Sequence, residues 1–182
     1  MGVPRMVINV PRLEAILGDH ADALGTSFEG YRNHVYRVLN FHLLLSDGRS
    51  PDLDRLAIAA AHHDLGIWTA GTLDYVGPSI ALAAAYLERA GLQSWKTEVG
   101  AMIQHHHQLS ACPASVAREV ELFRRADWID VTMGARRFGL PRRAVKQVRA
   151  VFPDAGFHRR LTKLVLMRFM RHPLNPLPMV RL

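Results

Sequence analysis

The chain has 182 residues, enough for one domain with a real core, and 49% of them are apolar. Its 23 Lys and Arg outweigh 16 Asp and Glu for a formal charge of +7, and its one cysteine, Cys112, cannot form an internal disulfide. The longest apolar run, 80–87, is far short of the roughly 20 residues of a bilayer span, and no apolar leader follows Arg5, so a soluble cytoplasmic protein is expected.

Residues 1–18 show no clear period. Over 29–45, Tyr31, His34, Val35, Val38, Phe41, His42 and Leu45 recur at helical spacing, and Ser46-Asp47-Gly48 closes the segment. Ser50-Pro51-Asp52 opens the next helix, with Ser50 as N-cap, Pro51 in the first turn and Asp52 at the positive end of the dipole. Leu53, Leu56, Ala57, Ala60 and Ala61 form its stripe, Asp64 continues that stripe, and Gly66 reads as the stop. A loop over 69–78 leads to a helix over 79–90, ended by Gly91. A helix over 93–107 sets Val99, Met102, Ile103 and His106 on one face. After Cys112-Pro113, a long helix from about Ala114 aligns Val116, Val120, Phe123, Asp127 and Asp130.

Two further helices are expected over 142–152 and 157–170. The last sets Leu161, Leu164, Val165 and Phe169 against Arg159, Arg160, Lys163, Arg168 and Arg171. That pattern is also that of a membrane-surface helix, but packing on the domain is the expected use. The proline-rich tail from Pro173 reads as extended. With no strand-like alternation and no repeat, the expected fold is all-α, a single domain over 1–182.

Charge is unevenly placed. Residues 1–117 hold 8 Lys and Arg against 11 Asp and Glu; residues 118–182 hold 15 against 5. Such a basic C-terminal third attracts anions or simply forms a solvated surface.

Three of these helices place a ligand-type residue on an otherwise apolar stripe: His34, Asp64 with His63 beside it, and Asp127. A buried carboxylate is costly unless paired, hydrogen-bonded or metal-bound, and one divalent cation would satisfy all four groups. Mixed nitrogen and oxygen ligation without thiolate suits Mn, Fe, Co, Ni or Mg, with Zn less favoured because a closed structural zinc site is a poorer match.

The order His…His-Asp…Asp resembles the HD-domain superfamily of metal-dependent phosphohydrolases. Tyr31-Arg-Asn-His34-Val-Tyr-Arg-Val resembles its first-ligand helix, Ala61-His-His63-Asp64-Leu-Gly-Ile its doublet, and Arg125-Ala-Asp127-Trp-Ile-Asp its last-ligand helix. The likeness covers about residues 28–135, leaving 136–182 as a basic helical extension of an HD-type bundle. It implies His34, His63, Asp64 and Asp127 as metal ligands. A metal-bound water would then attack a phosphoester in a small phosphorylated substrate, a nucleotide being one candidate. Ile103-Gln-His105-His106-His107 also looks familial, and implies catalytic roles for His106 first and His105 second, alongside Asp64; His107 is expected to be exposed.

Binuclear members carry another histidine soon after the doublet. Here no histidine lies between positions 64 and 105, and Asp74, in the segment 72–79 where it would fall, is a candidate substitute; one ion is expected rather than two. Asp130 is the fallback ligand, His42 a core residue, and His20, His158 and His172 surface residues. Other readings stay open: an HD-fold lyase or oxygenase acting on a small molecule, or a non-catalytic metal-stabilised module binding RNA or an acidic partner. Nucleic acid is not the favoured partner, because the basic third lacks interleaved aromatic residues. A homo-oligomer is compatible with the sequence.

Overall fold

Helix α4 (Leu53–His62) runs through the centre of the protein, and every residue from Leu56 to His62 is buried. Its run of alanines explains this, because small side chains let neighbouring helices approach from several sides. The computed structural model describes residues 6–47, 49, 51–113 and 115–180. Around α4 lie α1 (Pro11–Asp19), α3 (Phe28–Leu45), α6 (Val76–Arg89) and α7 (Lys96–His105). Two short helices, α2 (Ala21–Leu24) and α5 (Gly66–Thr69), complete this part. Helix α8 (Arg118–Val131) lies along α3 and also meets α7; α9 (Arg142–Val151) and α10 (Phe157–Arg171) touch α3. The fold is all-α, with no strand among the described residues. A single cluster of buried apolar side chains runs from Val10 to Phe157.

Several element boundaries differ from expectation, each for a local reason. Pro11 opens α1 at the first helical position, where a missing N–H costs nothing. Helix α4 is capped by Asp52, whose side chain accepts from the Arg55 N–H at 3.1 Å; Ser50, expected as the cap, lies outside the described residues, as do Gly48 and Ala114. Gly66 does not stop a helix but begins α5. A Cβ there would lie 2.6 Å from the Tyr75 carbonyl oxygen and 2.9 Å from Ser79 Oγ, so glycine serves close packing. Pro78, read as loop, sits in the first turn of α6, where no intrahelical donor is lost. Helix α7 stops at His105, and α8 starts only at Arg118, leaving Val116 in the preceding turn. The tail folds into turns instead of extending, with Asn175 N–H bonded to His172 O and Val180 N–H to Leu177 O.

Candidate metal centre

Two histidine-bearing turns and two helices converge at one buried point. His34 lies mid-way along α3 and Asp127 on α8. His63 and Asp64 occupy the turn after α4, and His106 and His107 the turn after α7. All six are buried. His34 Nε2 and His63 Nε2 face each other at 2.9 Å. Asp64 Oδ2 lies 3.6 Å from each of these nitrogens, and Asp127 Oδ1 lies 3.7 Å from each. On the far side, Asp64 Oδ1 is 3.2 Å from His106 Nε2, and Asp127 Oδ2 is 3.4 Å from His107 Nδ1. Both carboxylates thus span two sets of imidazoles. The two sets, His34–His63–Asp127 and Asp64–His106–His107, are each able to hold a metal ion.

Hydrogen bonds on the outer ring nitrogens define what the inner ones offer. His63 Nδ1 is 2.7 Å from the Ala60 carbonyl and His106 Nδ1 is 2.6 Å from that of Ile103. A carbonyl only accepts, so each Nδ1 carries the hydrogen and, in the neutral ring, each Nε2 presents a lone pair. His34 Nδ1 likewise meets Asp130 Oδ2 at 2.7 Å. Lone pairs and carboxylate oxygens therefore meet with few donors between them. Asp127 makes the deficit plain: both its oxygens are buried and accept no hydrogen bond. Leaving such a carboxylate bare is expensive, and a divalent cation among these donors resolves it.

Without metal, protons partly fill that role. Burial works against charge on His63, but Asp64 and then Asp127 outweigh it and carry the ring up to about 9. Burial also raises Asp64 and Asp127, yet the surrounding imidazoles, His63 first, hold both below the ordinary carboxylate value. Burial, then the charge of His106, pushes His107 down to about 4.

A further layer fixes the ligating groups. Asp130, the fallback ligand, instead orients His34 and is itself gripped by Arg37, with Nε and Nη2 at 2.6 and 2.8 Å. Arg149 Nη1 approaches the same carboxylate at 3.3 Å. Carboxylate–histidine pairs of this kind hold the ring orientation and raise ligand basicity. Asp130→Asn is therefore expected to weaken metal binding about 10–100-fold while retaining the fold, measured by competition with a chromogenic chelator. Unchanged affinity would return Asp130 to a purely structural role.

The structure brings together His34, His63, Asp64, Asp127 and His106. It does not bring in His105, whose Nδ1 pairs with Gln108 Oε1 at 2.7 Å. His107 corrects the expectation of an exposed residue: only 9% exposed, it meets the Tyr75 hydroxyl at 2.7 Å. The reason is that α7 ends before it, so helical spacing no longer decides which way it points. His158 is also not free on the surface, since its Nε2 is 2.9 Å from the Asp130 carbonyl. His20 is half-buried against His62, while His172 is exposed. His42 is buried, 3.2 Å from Glu119 Oε2.

Sequence reasoning missed Arg37, Tyr75 and Phe157. Arg37 follows His34 by one turn, a usable signal, but arginines are rarely buried. Tyr75 lies within the segment 69–78 that reads as loop. Phe157 stacks on His34 with centroids 4.1 Å apart, a contact between distant segments that no spacing announces. No family model, curated protein or solved structure matches the chain.

Proposed function

We propose that the chain is a metal-dependent phosphohydrolase of the HD type, acting in the cytoplasm on a small phosphorylated substrate. The observation that carries this reading is the buried Asp127 carboxylate, which accepts no hydrogen bond among the described residues and lies 3.7 Å from the Nε2 atoms of His34 and His63. The order His34…His63-Asp64…Asp127 along the chain supports the HD resemblance. His34, His63, Asp64 and Asp127 would hold one divalent ion. When bound, such an ion supplies a Lewis acid and an acidified water.

The chain's own groups supply the rest. Asp130 and Arg37 hold His34 in its ligating tautomer. His106 presents Nε2 beside Asp64 and is placed to bind a phosphoryl oxygen or to pass a proton to the leaving group. Tyr75 holds His107 and approaches His106 Nε2 at 3.3 Å, restricting the rotation of both rings.

Metal analysis and a screen over phosphomonoesters, nucleotides and small nitriles test the reading. One equivalent of metal and turnover on a phosphoester are expected, with chelation abolishing turnover. Loading the ion at pH 7 should release about one proton, because His63 must give up the proton it holds. His106→Ala is expected to keep the metal and lose about 10²–10⁴-fold in turnover. Failure to bind any divalent ion, or a loaded protein inactive on every phosphoester, overturns the proposal. Turnover on nitriles alone would favour the lyase reading. Two equivalents of metal, one of them lost in His106→Ala, would make that histidine a ligand.

A further inference from the structure

The last helix does not pack as its sequence suggests. Phe157 is the only fully buried residue of α10. Leu161 and Leu164 rest partly against the core, but Phe169, expected on the same inner stripe, is 52% exposed. Leu166 is 57% exposed and Met170 76%, and Leu174 in the following turn is fully exposed. Large apolar side chains at helical spacing on an outer face are costly in water and mark a contact surface.

The charges around this patch lack acidic partners among the described residues. No acid follows Asp154 in the sequence. Arg159 and Lys163 share the outward face with Leu166 and Met170 by helical spacing, and Arg160 and Arg171 flank it. Among the described residues none of these four cations is paired with a carboxylate. Beneath one side of the helix lies a cavity of about 450 Å³, bordered by Trp68, Thr72, Arg160, Arg168, Arg171 and His172, with no acid in its lining.

We propose that α10 and the turn after it dock on an anionic membrane surface. Leu166, Phe169, Met170 and Leu174 enter the boundary between headgroups and acyl chains, while Arg159, Arg160, Lys163 and Arg171 take the lipid phosphates. Charge selects this occupant. A second copy of the chain would set the same unpaired cations against each other. A free phosphate would fill the cavity but leave the apolar residues in water. An acidic lipid surface satisfies both features at once. Among the described residues no helix is long and apolar enough to cross a membrane, and the proposed contact is peripheral. The inference is independent of the metal centre.

Vesicle co-sedimentation of the full chain tests it. Binding is expected to phosphatidylserine-containing vesicles and not to phosphatidylcholine alone, and to fall steeply with salt. Arg159→Glu with Lys163→Glu should weaken binding at least about tenfold, as should Phe169→Glu with Met170→Glu, with thermal melting unchanged because these positions are exposed. Four results would overturn the proposal. One is no selectivity for anionic vesicles, and another is retention of binding in both double variants. The third is a self-associated species, seen by analytical ultracentrifugation, that Phe169→Glu with Met170→Glu dissociates. Saturable binding of inorganic pyrophosphate without vesicle binding would likewise assign the basic cavity to a soluble anion.

Discussion

Asp64→Ala is expected to release the bound ion and to lower stability both with and without metal. With metal, the loss is the linkage term, about 4 kcal/mol when free ion stands near a thousand times its dissociation constant. Without metal, the loss falls on His63. Its pKa is raised from 6.5 to about 9, with Asp64 the largest cause opposing burial. A raised histidine pKa contributes stability that is complete below about pH 6.5 and is lost as pH climbs through 9. From this group alone, chelated wild-type protein should therefore be about 3 kcal/mol more stable at pH 6 than at pH 10. In Asp64→Ala that difference should shrink, because the largest of the influences that favour the charged ring is gone while burial still opposes it. Urea melts of the chelated proteins across pH, with metal analysis of the loaded ones, read both effects. A variant that keeps a full equivalent of metal and an unchanged melting temperature would remove Asp64 from the centre.

Arg37→Met is expected to cost about 3–5 kcal/mol, the largest effect away from the metal ligands. The Arg37 side chain is wholly buried and spends its donors on Asp130 and on the Phe152 and Pro153 carbonyls, each at 3.1 Å. Its loss leaves the buried Asp130 carboxylate with only His34 and Arg149 beside it. The bend leading into α10, which positions Phe157 against His34, loses the Arg37 bonds as well and keeps the Asn33 bond to the Pro153 carbonyl at 3.0 Å. Adding Asp130→Asn should recover part of the cost, because the uncompensated charge goes with it. Denaturant unfolding of the two single variants and the double variant closes this cycle. A cost below about 1 kcal/mol for Arg37→Met, or strict additivity, would show that the pair contributes little.

Much of the helical framework was legible in the sequence because apolar periodicity is a local property. The spacing of Tyr31, Val35 and Val38 placed a helix over 29–45, and the structure has Phe28–Leu45 with His34 inside. The same logic turned Asp127 inward beside Val120 and Phe123, all of them buried. What the sequence could not decide lies where helices end. His107, read as exposed, stands beyond the terminus of α7, where the 3.6-residue period no longer governs direction, whereas Asp64, also beyond a terminus, is buried as its stripe implied. Asp64 is aimed by a turn against which Tyr75 and Ser79 pack so closely that only a glycine fits at position 66. The exposure of Phe169 was also beyond reach, since a moment along a helix shows that a face is apolar without saying what covers it. Asp130 gained its role through His34 and Arg37, 96 and 93 residues away in the chain. Local sequence sets which residues share a helix face. Only tertiary packing decides which faces meet, because it depends on contacts between segments that carry no common period.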